Sequence, residues 1–280
     1  MPTIREIRDH TADDPPLTML TAYDATMAAV VDEAGIDMIL VGDTMGPTVL
    51  GYDSTLPVTV EEMASRTGAV ARATDEAVVV ADLPFLSYGV DEAESITAAG
   101  RMLKEEGATA VKLESGPHTI DLTERLTQLG IPVMAHLGLT PQHVNLLGGY
   151  FRQGTDADAA ERIRELARAH EEAGAFAVVL EHMPAAVGRA ITEDLVIPTI
   201  GIGAGPDTDG QILILHDIAG FSERLPPFAK EFGDVKGELE RTVTAYRDAV
   251  LAGEFPGEAH TFDADDPALG ADRPASNDPD

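Results

Sequence analysis

Five short apolar runs of the sequence lead directly into polar side chains capable of chemistry. MILVG runs into Asp43 and AVVVA into Asp82, TAVKLE carries Lys112 and Glu114, PVMAH ends on His136, and FAVVLE ends on Glu181. A charge at the end of an apolar strand is costly to desolvate unless it is paired or bound to a metal. One such residue is readily an ion pair, but repetition at five strand ends points to a shared site; the alternative is scattered ion pairs closing a rim. Asp43, Asp82 and Glu114, with the Thr44 hydroxyl beside them, form an all-oxygen donor set that favours Mg²⁺ or Mn²⁺ over Zn²⁺. For Glu114 alone, pairing with Lys112 is the competing reading. Glu181 follows four apolar residues, and a partly desolvated carboxylate has the raised pKa that suits a general base. Its alternative is a buried partner for a nearby Arg or His. His136 is the one strand-end imidazole.

The elements that must position these groups are legible as an alternation. Eight β-rich runs (17–22, 38–41, 77–81, 109–113, 132–136, 176–180, 198–202 and 212–215) are dominated by Val, Ile, Leu, Ala and Met. Such runs suit strands buried on both faces of a parallel sheet. Between them lie helical patterns. Residues 90–106 carry early acids and stop at Gly107, and residues 156–173 place Ala160, Ile163, Leu166, Ala167 and His170 at helical spacing and stop at Gly174. Strands alternating with helices over about 250 residues predict a (β/α)8 TIM barrel, with a doubly wound open sheet as the rival. In a barrel all strand C-termini share one mouth, where such folds keep their chemistry. Ile4 and Ile7 suggest a short N-terminal helix plugging the barrel bottom. A helix is expected over 237–252, so that residues 1–252 form the catalytic domain and 253–280 an acidic, disordered tail.

The composition bounds the function. The chain has 280 residues with 19 Lys and Arg against 49 Asp and Glu, a formal charge of −30. Residues 253–280 hold eight acids and one Arg, so −23 falls on the first 252 residues and the folded surface itself is acidic. Self-repulsion at this density is relieved at molar salt, where the Debye length falls to about 3 Å. A halophilic source is expected; a surface for a basic partner is the other reading. Clustered Lys and Arg for a nucleic-acid groove are lacking, no apolar run reaches the roughly 18 residues of a membrane span, and the N-terminus lacks a signal-peptide core. With no Cys there is no disulfide or thiolate chemistry, which fits a cytoplasmic protein.

Other motifs are less specific. Gly201–Gly210 (GIGAGPDTDG) reads equally as a phosphate cradle or as a tight turn at the rim, lacking the P-loop GK[ST]. His143, Asn145 and Gly148–Tyr150 suggest a lid loop, and Met27, Met38, Met102 and Met134 are expected in the core.

Taken together, the motifs resemble the ketopantoate hydroxymethyltransferase family. The matching stretches are TAYD (21–24), VGDTMG (41–46), DSTLPVT (53–59), DLPFLSY (82–88), AVKLE (110–114), HLGLTPQ (136–142), GGYFRQG (148–154), VLEHMP (179–184) and IPTIGIGAGPDTDGQIL (197–213). The resemblance implies a Mg²⁺-dependent (β/α)8 barrel that transfers a hydroxymethyl group from 5,10-methylenetetrahydrofolate, or a modified archaeal pterin, to 3-methyl-2-oxobutanoate, the first committed step toward pantothenate and coenzyme A. It implies Asp43, Asp82 and Glu114 at the metal, and Asp43, Thr44, Asp82 and Lys112 at the keto acid. It further implies Glu181 as catalytic base, His136 near the substrate, and a homo-oligomer, a decamer. Three residues depart from the family pattern: Thr44 for a usual Ser, Ser115 for a Gly and Ala135 for a Gly. They are expected to tighten the pocket and bear on keto-acid selectivity. A Mg²⁺-dependent lyase or mutase of the phosphoenolpyruvate mutase and isocitrate lyase type is the nearest enzymatic rival, though a reactive Cys is expected there. A non-catalytic scaffold is the other class.

Overall fold

The computed structural model of the protein describes residues 2–261. Its eight strands are β1 Leu17–Thr21, β2 Met38–Val41, β3 Val78–Asp82, β4 Ala110–Glu114, β5 Val133–Gly138, β6 Ala177–Glu181, β7 Thr199–Ile202 and β8 Gly210–Leu213. Each pairs in parallel with its neighbour, and β8 closes on β1 through Leu17↔Gly210 and Leu20↔Leu213. The predicted barrel is therefore the observed fold, and the open sheet is excluded.

The period of two along each strand divides the core. One set of positions, including Met19, Met38, Val80, Ala110, Met134, Val179, Ile200 and Ile212, packs into the barrel interior. The helix Ile4–Arg8 (α1) closes this interior with Ile7, as its spacing predicts. A capping box fixes α1: Glu6 N–H donates to Thr3 Oγ1, and Thr3 N–H to Glu6 Oε2. The alternate strand positions face outward against the helices Ala25–Glu33 (α2), Val60–Ala71 (α3), Glu92–Lys104 (α4) and Ile120–Gln128 (α5). After the one-turn α6 (Val144–Leu147), the helices Ala157–Glu172 (α7) and Ala185–Asp194 (α8) cover β5 and β6. The caps follow the sequence chemistry, with Asp91 and Asp156 accepting from Glu94 and Ala159 N–H at the starts of α4 and α7.

Several expectations require correction. β8 begins two residues before its apolar run and ends at Leu213, because Leu215 opens the short helix Leu215–Ile218 (α9). Gly210 and Gln211 carry no hydrophobic signal, yet a Cβ at position 210 would lie 2.6 Å from the Leu17 carbonyl oxygen, so only Gly fits that seam. β7 and β8 are joined by residues 203–209 without a helix, shorter than the usual parallel crossover. Within that connection Gly203 and Gly205 take left-handed φ of +68° and +94°, the geometry of tight turns, which favours the rim-turn reading of GIGAGPDTDG. Met38, Met102 and Met134 are core residues, whereas Met27 is 37% exposed on α2. The final helix, Val235–Leu251 (α10), lies close to its expected position. Of the expected tail, Phe255 packs edge-on against Tyr246 and residues 258–260 form a 3-10 turn. The rest of that expectation, 262–280, lies outside the described residues.

Candidate active site

The same alternation that fills the barrel with apolar side chains at its lower levels turns Asp82, Lys112, Glu114, His136 and Glu181 inward at the C-terminal ends of β3 to β6. With Asp43 and Thr44, just beyond β2, they line one cavity of about 60 Å³, room for a few waters by the usual measure. Thr21, Leu40, Val179, Ile202 and Ile212 supply its apolar walls. Every sequence-predicted site residue is thus at the one mouth, and all but Thr44 and Glu181 are almost fully buried.

Lys112 Nζ lies 2.7 Å from Asp82 Oδ1, an ion pair off the line of a hydrogen bond. The competing reading of Glu114 as the Lys112 partner gives way to this pairing. Asp82 Oδ2 accepts the Asp43 N–H at 3.1 Å, and Asp43 Oδ2 accepts from Gln142 Nε2 at 2.8 Å. Glu114 receives the Gln142 backbone N–H at 3.1 Å on both oxygens and has His143 Nδ1 at 3.4 Å. The Thr44 hydroxyl is held by Tyr23 Oη at 2.7 Å. His136 Nε2 stands 3.0 Å from Glu181 Oε2, close but poorly aligned for a hydrogen bond, and His136 Nδ1 has no hydrogen-bond partner among the described residues.

The electrostatics follow from burial and crowding. Burial, then the Asp82 and Glu114 charges, hold the Asp43 carboxyl well above the ordinary carboxylate range. Burial works against the Lys112 ammonium, but Asp82, Asp43 and Glu114 outweigh it and raise its pKa. Burial lifts Glu181 to about 7 against the opposing pull of Lys112 and His182. Burial and the Lys112 charge push His136 down to about 4, so the imidazole is neutral near pH 7.

Local backbone geometry aims Glu181. Gly138 ends β5 at φ +100°, and a Cβ there would lie 2.2 Å from the Glu181 carbonyl oxygen. That carbonyl accepts the Leu139 N–H at 2.9 Å. Immediately after Glu181 the chain leaves the strand through His182, left-handed at φ +47° and tied by its N–H to Ile202 O. Non-Gly residues in this region are uncommon and cluster at functional sites.

The departures from the family pattern have different consequences. Thr44 does line the cavity. Ser115 does not: its hydroxyl donates to Leu113 O and accepts the His136 N–H, tying the ends of β4 and β5 together. Ala135 packs outward with Leu137, Ala167 and Val178, so it cannot narrow the pocket. Gln142, Tyr88 and Tyr23 are contributors that the strand-end pattern did not mark. They are neutral residues in segments flanking the strands, and only the quoted motifs contained them.

A hard divalent cation fits this mouth by charge and donor chemistry. Four carboxylates (Asp43, Asp82, Glu114 and Glu181) face a single ammonium. Burial and this crowding raise the pKa of Asp43, and a divalent counterion would offset both by holding the carboxyls ionised. Among the described residues, however, no three His, Asp or Glu side chains stand as a ready-made ligand cluster. Asp43 and Glu114 are turned to Gln142, and Asp82 to Lys112.

Comparison with known proteins gives a consistent result. The family model described as ketopantoate hydroxymethyltransferase matches residues 2–258. A 3-methyl-2-oxobutanoate hydroxymethyltransferase of Halobacterium salinarum is 66% identical over 271 residues, covering 95% of this chain and 98% of the relative. One from Haloarcula marismortui is 62% identical over 95% and 98% of the two chains, and one from Geobacter metallireducens 50% over 93% and 98%. Among solved structures, a phosphoenolpyruvate phosphomutase of Streptomyces platensis superposes with a TM-score of 0.61 at 15% identity, over 89% of this chain and 87% of that one. A 2,3-dimethylmalate lyase of the PEP mutase/isocitrate lyase superfamily gives 0.54 at 17%, over 92% and 86%. At such identities the last two share the fold alone, so the lyase and mutase rival is a relative in architecture, and the scaffold reading gives way to an enzyme. The chain belongs to the ketopantoate hydroxymethyltransferase family.

Proposed function

We propose that this enzyme converts 3-methyl-2-oxobutanoate to 2-dehydropantoate with 5,10-methylenetetrahydrofolate, or a modified-pterin analogue, as one-carbon donor. Glu181 is the base. The observation that carries this reading is Glu181 itself: a carboxyl 17% exposed, lifted to about 7 by loss of water, and opening onto the cavity that holds Lys112, Asp43 and Asp82. The C3–H bond of the keto acid breaks, its proton goes to a Glu181 oxygen, and its electron pair forms the enolate. The donor's two methylene C–N bonds break on hydrolysis, water's oxygen staying with the carbon as formaldehyde and its two protons going to the pterin nitrogens. C3 then bonds to that carbon while its C=O π pair becomes the hydroxyl, which takes the proton from Glu181. His136, neutral beside Glu181, adds no competing positive charge and backs the carboxylate. Lys112 offsets the substrate carboxylate, while the Thr44 hydroxyl and backbone N–H orient it. Asp43, Asp82 and Glu114 would hold Mg²⁺, and the ion would supply Lewis-acid stabilisation of the enolate oxygen.

The expected setting is cytoplasmic; no helix among the described residues is long and apolar enough to cross a membrane. The expected homo-oligomer is supported by α10, which buries none of its residues and leaves Leu239, Val243, Tyr246 and Val250 exposed along one stripe. The experiment is an assay of 2-dehydropantoate formation from both substrates. Chelation should abolish the product and Mg²⁺ should restore it better than Zn²⁺. Full activity in a verified metal-free preparation contradicts the scheme.

A further inference from the structure

Gln142 is a buried neutral residue with every polar atom of its amide engaged. Its Nε2 donates to Asp43 Oδ2 at 2.8 Å and to Leu83 O at 3.0 Å, while its Oε1 accepts from Tyr88 Oη at 2.7 Å. The amide has one orientation only. Turned over, its oxygen would face a carboxylate and a carbonyl, two acceptors with nothing to donate. Tyr88 Oη completes the arrangement: it accepts the Glu114 N–H at 3.0 Å and donates to Gln142 Oε1 at 2.7 Å, the nearer of its two acceptors, the other being Glu114 O at 3.4 Å. The hydrogen bonds therefore run in one direction, from the end of β4 through Tyr88 and Gln142 to Asp43. The Gln142 backbone N–H meanwhile engages both Glu114 oxygens. Asp43 Oδ1 receives no protein donor among the described residues, and Asp43 lines the cavity.

We propose that Gln142, oriented by Tyr88, is the positioning residue that fixes the Asp43 carboxylate with one oxygen held by protein and the other presented to the cavity. The inference rests on the assignment of Asp43 to the cation and keto-acid site. It also gives the loop leaving β5 a function of its own, since the segment that carries Gln142 sets a carboxylate supplied by β2, on another side of the mouth.

Crystal structures and Mn²⁺ titration calorimetry of Gln142→Ala, Gln142→Glu and Tyr88→Phe test this. Losing a hydrogen bond to a charged group should weaken Mn²⁺ binding about 10- to 100-fold in Gln142→Ala. Its Asp43 side chain should spread over more than one rotamer. Gln142→Glu, nearly equal in shape but without the NH2, should be at least as impaired as the Ala variant. Tyr88→Phe, which keeps the ring packing, should show a smaller loss of the same kind. In keto-acid turnover the defect should fall mainly on KM. An unchanged single Asp43 rotamer with parental Mn²⁺ affinity in Gln142→Ala overturns the proposal, as does parental affinity in Gln142→Glu. If the parent binds no Mn²⁺, the metal reading fails, and the Asp43 rotamers of the variants still decide the role of Gln142. Should Gln142→Ala not fold, the other two variants decide in the same way.

Discussion

A carboxyl in water is ionised at neutral pH and too weak a base to remove a carbon-bound proton efficiently. Glu181 escapes that limit because burial lifts it to about 7. The sign of the pH dependence follows. Below that value the group is protonated and cannot accept the C3 proton; above it the base is present. Rates limited by proton removal should therefore rise roughly tenfold per unit on the acid side and level off above about pH 7. His136, pushed down to about 4, should add no limb near neutrality. A kcat/KM profile already flat from about pH 5 upward would show that Glu181 is not the titrating base.

At the scale of elements, the barrel works because one strand alternation serves two purposes, apolar below and polar at the mouth. Position 138 shows how little slack remains where strands meet. Gly138→Ala must fit a Cβ 2.2 Å from the Glu181 carbonyl oxygen at φ +100°. It should cost about 2–4 kcal/mol and disturb the base, lowering Tm and kcat together. Thermal melts and turnover of the variant check this; a parental Tm and kcat would contradict the geometry. The eight strands, the plug helix and the gathering of charged strand-end residues at one mouth were legible because apolar runs and isolated charges leave a strong signal in sequence. The start of β8 was not, since Gly210 and Gln211 are dictated by contact with β1. Gln142, Tyr88 and Tyr23 were silent because a neutral hydrogen-bonding residue acquires its role only when distant loops meet. The pairing of Lys112 with Asp82 was not legible either: the sequence offered only Glu114 as a partner, whereas the register Asp82↔Lys112 brings Asp82 to the ammonium.

At the scale of the whole molecule, a formal charge of −30 on 280 residues must be carried mostly by the surface. Screening at about 1 M salt shortens the Debye length to roughly 3 Å, so Tm should climb steeply over the first molar of KCl. A flat or falling melting curve would remove the halophilic reading. Salt should also favour association of like-charged copies through the exposed stripe of α10. Light scattering in high KCl is expected to give a defined oligomer, and Leu239→Glu with Val243→Glu should lower its mass; a monomeric parent would contradict that expectation.

Enolate formation requires these dispersed residues to act together. That requirement is tested by incubating the protein with 3-methyl-2-oxobutanoate and Mg²⁺ in D₂O, without any pterin, and following the C3 proton by NMR. Deuterium should enter at C3 with the parent, with a loss of about 10²- to 10⁴-fold in Glu181→Gln. Exchange that proceeds undiminished in Glu181→Gln, or none at all with the parent, would contradict it.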